Sequence, residues 1–529
     1  MQAKLSVPPS VRRRAIVTAA GLALLGAGLP ATAAARPDAD LNRFYRQKIT
    51  WGRCQGDGFP KDLQCGKVTV PLDYAKPRAA SIELALARYR SSGDKRGSLL
   101  LNFGGPGVSG VTELAYGGDD FMDLTDGYDV VGFDPRGVGR SSPVSCGDAA
   151  YETDDEADGS SDALKDPAAV LRQLRKTATE CAKHSGPVLP HMGTVNAARD
   201  LDVMRQALGD KKLNYLGFSY GTRLGAVYAA QFPKKVGRVA LDGVDTLTEP
   251  VTRQGIAGAK GQQTALEDFL NWCVKDIACP FGQDPRKARE EVVRLVRSMD
   301  EDPVPTTFDG PFSGQDLVGA IGQALYSEDL WPLLERALAS LTEDGDTRGV
   351  EMFATGGAAR PGLRATPAPA PSALADPEEV PLDNLPSALM AVNCADDPDR
   401  PTARQMTREL PRLRAAYEQA SEVFGPYRLT QALLCYGRPK GTDYIRDEVK
   451  DVGSAKMLLV GTRGDPATPY RWTEQTAMRL GPSAVVLDNK GEGHTGYASS
   501  KCVHRKVDDF LLYGSLPPSG SSCGDESDD

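Results

Sequence analysis

The sequence predicts an α/β protein: a mostly parallel, eight-stranded sheet flanked by helices, with a mainly helical insertion ahead of its last two strands. Three observations carry that expectation. Short β-rich runs recur at 67–71, 81–88, 98–103, 128–133, 214–217 and 238–242, and two more follow at 456–461 and 483–487. Several are unbroken apolar stretches, as in Ser98-Leu99-Leu100-Leu101 and Met457-Leu458-Leu459-Val460, the pattern of strands covered on both faces. Between 244 and 441 that rhythm stops, and apolar residues take up helical spacing at 266–274, 288–299 and 330–341.

Taken in order, the chain opens with Arg12, Arg13 and Arg14 ahead of an apolar run over 15–29, followed by Ala31-Thr32-Ala33 and Ala33-Ala34-Ala35. This reads as an export signal over 1–35, with adjacent arginines that permit a twin-arginine route. The run is short for a membrane span and no cysteine follows it to accept a lipid, so no stable membrane association is expected. Residues 36–244 are the first part of the α/β core. There Leu201, Met204, Ala207 and Leu208 mark a helix over 197–208 between strands. The insertion over 245–440 would cap the sheet, and its stretch 354–381, rich in Ala, Pro and Gly, reads as irregular. An acidic surface loop is read at 151–162. The core resumes over 441–529 and ends in a polar tail from 515.

At 529 residues, 40% hydrophobic and 25% charged, the chain has the composition of a globular protein with two domains or one domain and an insertion. Its net charge of -9 gives no basic field for nucleic acid. Ten cysteines suit an oxidising compartment. Spacing alone does not settle their connectivity. The pairs nearest in sequence are Cys54 with Cys65, Cys273 with Cys279 and Cys502 with Cys523, and Cys146 with Cys181 and Cys394 with Cys435 would complete the set. None lies in a CxxC or Cys/His cluster, so neither a metal nor a cofactor is expected.

Chemistry concentrates at Ser219. It sits in Gly217-Phe218-Ser219-Tyr220-Gly221, behind the strand-like Asn214-Tyr215-Leu216 and ahead of a helical stretch. A sharp strand-to-helix turn exposes a serine hydroxyl at a helix N-terminus, and small residues two positions either side let the backbone close. A serine needs a base, and in such folds the chain order is Ser, Asp, His. Of four histidines, His184 and His191 precede the serine. His494 lies in the loop Gly491-Glu492-Gly493-His494-Thr495-Gly496 past the last strand, whereas His504 falls in a helical pattern and reads as a packing residue. Asp465, in Gly464-Asp465-Pro466 just past the strand at 456–461, is the orienting carboxylate; Asp443, Asp447 and Asp488 are rivals in poorer positions.

Acyl transfer also needs donors for a developing oxyanion. The Tyr220 amide is one, and Gly105, in Asn102-Phe103-Gly104-Gly105-Pro106-Gly107, is the other. That loop lacks the Lys-Ser/Thr ending of a phosphate-binding loop. Asp134, in Gly132-Phe133-Asp134-Pro135-Arg136-Gly137, reads as structural.

Together these motifs resemble the proline iminopeptidase and tripeptidyl aminopeptidase branch of the α/β-hydrolases. The likeness runs in order through Gly104-Gly105-Pro106-Gly107, Gly132 to Gly137, Gly217 to Thr222, Asp465-Pro466-Ala467-Thr468-Pro469 and Gly493-His494-Thr495, and its C-terminal part looks like secreted actinobacterial tripeptidyl aminopeptidases. The resemblance implies removal of short peptides, commonly tripeptides, from free N-termini. An amine-binding carboxylate is then required, and Asp396 and Asp397 are the candidates. Phe103 and Val108 depart from the family, whose members more often carry Pro and Gly there. A secreted esterase or lipase of the same fold is the alternative reading, and a non-catalytic binding module is another, disfavoured because no triad member is missing.

Overall fold

The computed structural model describes residues 41–54, 58–150, 166–306, 310–354, 380–445 and 449–524. The export signal, the acidic loop at 151–162 and nearly all of 354–381 lie outside the described residues.

Ten strands form one sheet. Its central members are β4 (Gly97–Asn102), β5 (Tyr128–Phe133), β6 (Leu213–Phe218) and β7 (Val236–Asp242). Before them come β1 (Gly52–Arg53), β2 (Gln64–Pro71) and β3 (Ser81–Tyr89). After a separate two-stranded ribbon, β8 (Val304–Pro305) with β9 (Pro311–Phe312), the sheet is completed by β10 (Met457–Gly464), β11 (Ala484–Glu492) and β12 (Ser522–Cys523). The order is β1-β2-β3-β5-β4-β6-β7-β10-β11-β12. The first four strands in that order pair antiparallel and every later pairing is parallel. The eight strands read from the sequence form the body of this sheet. β1 and β12 are two-residue additions at its edges, too short to show a period. Both edges are stapled: Cys54, just past β1, bonds Cys65 in β2, and Cys523 in β12 bonds Cys502. All five disulfides join the cysteines nearest each other in sequence.

β4 and β5 are buried along their whole length, so both sheet faces need helices. Those of the core are α1 (Asn42–Tyr45), α2 (Gly110–Gly117), α3 (Pro167–Ser185), α4 (Thr194–Ala207), α5 (Tyr220–Gln231) and, late in the chain, α14 (Arg471–Leu480) and α15 (Lys501–Tyr513). Between β7 and β10 run α6 (Val251–Cys273), α7 (Pro285–Glu301), α8 (Gly314–Ala324), α9 (Trp331–Asp344), α10 (Arg348–Ala354), α11 (Asn384–Asp396), α12 (Ala403–Ala420) and α13 (Gly425–Leu433). Residues of α6 to α10 bury their apolar faces in a cluster of their own around Phe269, Trp331 and Phe353. α11 behaves differently: Ala388, Ala391 and Val392 belong to the core cluster against the sheet. The helical insertion thus joins the core cluster through α11, and α12 and α13 also pack against Leu171 of α3.

Candidate active site

The elbow at Ser219 follows from glycine geometry. Ser219 has φ 54 and ψ -123, a left-handed backbone that costs a non-glycine residue about 1–3 kcal/mol and is tolerated where surrounding structure enforces it. A Cβ on Gly217 would stand 2.6 Å from the Gly221 carbonyl oxygen, and one on Gly221 would stand 2.7 Å from the Asn102 carbonyl oxygen. Both motif glycines therefore let strand, helix and neighbouring strand close on one another. The Ser219 N–H donates to the Asp242 carbonyl at 2.9 Å, which ties the turn to the end of β7.

Asp465 and His494 lie 29 residues apart and meet. Nδ1 of the imidazole is 2.9 Å from Oδ2 and 3.0 Å from Oδ1 of the carboxylate. Asp465 is buried, and the Ala467 and Thr468 amides and the Thr468 hydroxyl also donate to it. Burial alone would lower the imidazole's proton affinity, but the charge and hydrogen bond of Asp465 outweigh it, with Asp242 and Asp245 adding to the effect, and the pKa is raised. Among the described residues no hydrogen bond joins Ser219 Oγ to the imidazole. Both groups nevertheless bracket the end of β7. A Cβ on Gly243 would stand 3.3 Å from His494 Cε1, one residue beyond the carbonyl that holds Ser219.

The glycine loop closes over the elbow. Gly104 has φ +86, and a Cβ there would stand 2.7 Å from the Phe218 carbonyl oxygen and 2.8 Å from Ser219 Cβ. Its N–H is taken by Asn102 Oδ1 at 3.2 Å, whereas the Gly105 N–H has no protein acceptor among the described residues. Phe103, one of the two positions read as departures from the family pattern, stacks on Phe218 and meets Phe121 edge-on, and Phe218 in turn meets Tyr497 of the histidine loop. Four rings thus underlie the three loops of the site. Asp134 accepts from the Ser109 hydroxyl and the Val111 and Arg140 amides, holding the glycine loop's exit into α2.

Other sequence candidates fall elsewhere. His504 stacks on Tyr497 and pairs with Asp508. Asp443 pairs with Arg199 and Asp488 with Arg463; Asp447 lies outside the described residues. Asp396 and Asp397 are buried rather than solvated, and they line a hollow with Arg223, Glu249 and Gln254, one helical turn past Ser219. Asp396 accepts from Thr194 and is 3.4 Å from Arg223, which also pairs with Asp245 at 2.8 Å. Asp397 caps the start of α6 through the Val251 amide. Cys273, Cys279 and Glu335 converge within 4.8 Å, but a disulfide occupies both sulfurs.

Two residues beside His494 were not singled out from the sequence. Tyr326, in the turn after α8, accepts the His494 N–H on its carbonyl at 2.9 Å and sets its ring edge-on to the imidazole with centroids 5.1 Å apart. Glu492 keeps one carboxylate oxygen buried without a partner, and burial with the charges of Asp268 and Glu328 pushes it up to about 7. Glu492 at least carried a signal, its place in the glycine-flanked histidine loop. Tyr326 carried none.

Sequence comparison decides the family. An alpha/beta hydrolase fold model matches residues 97–333, and a TAP-like protein model matches 421–523. The serine protease Hip1 of Mycobacterium tuberculosis is 33% identical over 499 residues, covering 90% of this chain and 91% of that protein. This chain is an α/β-hydrolase of the TAP-like branch. The hydrolase is also 32% identical over 504 residues to the tripeptidyl aminopeptidase of Streptomyces coelicolor, covering 91% and 87% of the two chains. Its similarity to carboxylesterase B of M. tuberculosis is 32% over 480 residues, covering 88% and 86%. It is therefore a serine hydrolase enzyme, and its five disulfides are compatible with an extracellular protein. No described helix is long and apolar enough to cross a membrane.

Proposed function

We propose that this hydrolase is a secreted serine exopeptidase that releases short peptides, tripeptides by family resemblance, from the free N-termini of peptide substrates. The observation that carries the reading is the buried Asp465–His494 pair, docked on the end of the strand to which Ser219 is bonded. Neutral His494 takes the Ser219 proton as Oγ attacks the scissile carbonyl. The oxyanion accepts from the Tyr220 and Gly105 amides, the latter supported by its unoccupied N–H. Collapse breaks the C–N bond and His494 passes its proton to the departing amine. Water, deprotonated by the same imidazole, then cleaves the Ser219 ester and frees the short peptide acid. Asp465 stays ionised and holds the imidazole's tautomer.

Recognition of the ammonium is assigned to the hollow beside α11. Three carboxylates line it, Asp396, Asp397 and Glu249, together with Arg223, and Glu249 also pairs with Arg471. Asp396 is met by Arg223 and Asp397 accepts the Val251 and Asp399 amides; the amine-binding role proposed for the pair rests on their burial in that hollow. Export is supported by the disulfides and by the pattern over 1–35. An esterase is the second reading, favoured by the likeness to carboxylesterase B.

A free-amine tripeptide anilide, its N-acetylated form and a p-nitrophenyl ester separate the two. The exopeptidase reading requires cleavage of the first and near-silence toward the second. Equal rates on both anilides, or turnover of the ester alone, would reject it.

A further inference from the structure

The insertion carries a cation, Arg428, that no described carboxylate pairs with. Arg428, on α13, extends toward α6, where Gly258 makes room: a Cβ on Gly258 would stand 2.4 Å from Nη1. Its Nε donates to Gln262 Oε1 at 2.7 Å. Among the described residues that is its sole hydrogen bond, and no carboxylate pairs with it. A guanidinium offers five N–H donors and keeps its charge in proteins, so four donors here have no acceptor among the described residues. Burial lowers its proton affinity, and the groups that offset this are two neutral phenols, Tyr326 and Tyr417. Arg428 is half-buried, and a charge partly withdrawn from water without a counter-ion is costly.

Gln262 follows Gly261, whose position is fixed against the Asp465 loop: a Cβ there would stand 3.0 Å from Pro469 Cγ and 3.3 Å from the Asp465 carbonyl oxygen. Tyr326, whose phenol feels the Arg428 charge, is 39% exposed, yet enough protein surrounds it that burial raises its pKa. This ring sets its edge against the imidazole, with centroids 5.1 Å apart.

We propose that Arg428 and the Tyr326 hydroxyl form a carboxylate-binding subsite in the substrate cleft beside His494. The subsite rests on the reading of His494 and Ser219 as the reacting centre. Its ligand is a substrate carboxylate held by charge-assisted hydrogen bonds from the guanidinium and one from the phenol. That carboxylate is either the C-terminus of a short peptide or an Asp or Glu side chain near the cleavage point.

Competitive inhibition of neutral p-nitrophenyl ester hydrolysis tests this whether or not the peptides are cleaved. The probes are tetra-alanine as free acid and as amide, and an amidated tetrapeptide with Glu against its Gln counterpart. In the wild type at least one acid should inhibit about tenfold more strongly than its neutral partner. The first pair winning marks the C-terminus, the second a side chain. Arg428→Met should erase the preference, Arg428→Lys should keep part of it, and Tyr326→Phe should weaken it even if Arg428→Met fails to fold. Equal inhibition within both pairs in the wild type, or a preference that survives both Arg428→Met and Tyr326→Phe, overturns the subsite. Ester turnover with no peptide cleaved would instead sink the exopeptidase reading and leave the inhibition result standing.

Discussion

Asp242 links the two halves of the site: its carbonyl accepts the Ser219 N–H at 2.9 Å, while its carboxylate accepts the Gly496 amide at 3.0 Å and the Tyr497 amide at 2.8 Å. One residue at the end of β7 therefore sets the spacing between the serine turn and the histidine loop. The carboxylate is fully buried, and burial pushes it up to about 6 despite those two donors and the nearby imidazole.

Replacing Asp242 by Ala leaves two buried amides unpaired and frees the loop that carries His494. Because misplacement by about 1 Å can cost about 10²-fold, kcat should fall on that order with KM little changed. Wild-type kcat in a folded Asp242→Ala protein would show that the loop holds itself.

Ser219→Ala should abolish turnover while leaving the fold intact. Ser219→Gly should be equally inactive and more stable by about 1 kcal/mol, since glycine accepts φ 54 without strain. Thermal melts of the two variants beside the wild type measure the difference; no gain for glycine would mean the turn is unstrained.

The pH profile follows from the raised imidazole. The proposed mechanism needs neutral His494, so kcat/KM should fall with acidification through a limb above about 6.5, the ordinary histidine value. Asp465→Asn removes the largest raising influence. Its residual activity, lower by about 10³–10⁴-fold, should have its limb displaced to lower pH. Stability runs the other way: the His494–Asp465 contribution is complete below the unfolded imidazole value and is lost as pH rises through the folded one. An unmoved limb in Asp465→Asn would remove Asp465 from that role.

At Gly104, alanine would meet the Phe218 carbonyl and Ser219 Cβ with φ already at +86. Gly104→Ala should displace the glycine loop, with loss of kcat on the order of 10²-fold, the cost of losing one oxyanion donor. Unchanged burst kinetics with a p-nitrophenyl ester would show that the loop tolerates the shift.

Much of this was legible without coordinates because it is written locally. An unbroken apolar run such as Leu99-Leu100-Leu101 announces a doubly covered strand, and glycines either side of Ser219 announce a turn too tight for side chains. Asp465 and His494 were placed by the strands they follow, since side chains past parallel strands converge on one sheet edge. β1 and β12 escaped because two residues have no period. Asp396 and Asp397 were read as acids but not as buried ones; the pairing of Asp396 with Arg223, 173 residues away, has no local trace.

By itself, then, the sequence determined the α/β core, the serine turn, the order of the triad candidates and the glycine loop, all set by periodicity and backbone sterics within a few residues. Tertiary structure alone decided what surrounds them: Tyr326 against the imidazole, Arg428 with no described carboxylate beside it, Asp242 bridging two loops and α11 joining the core. Those depend on how the insertion folds back over the sheet, and the contacts that set this join residues more than a hundred positions apart.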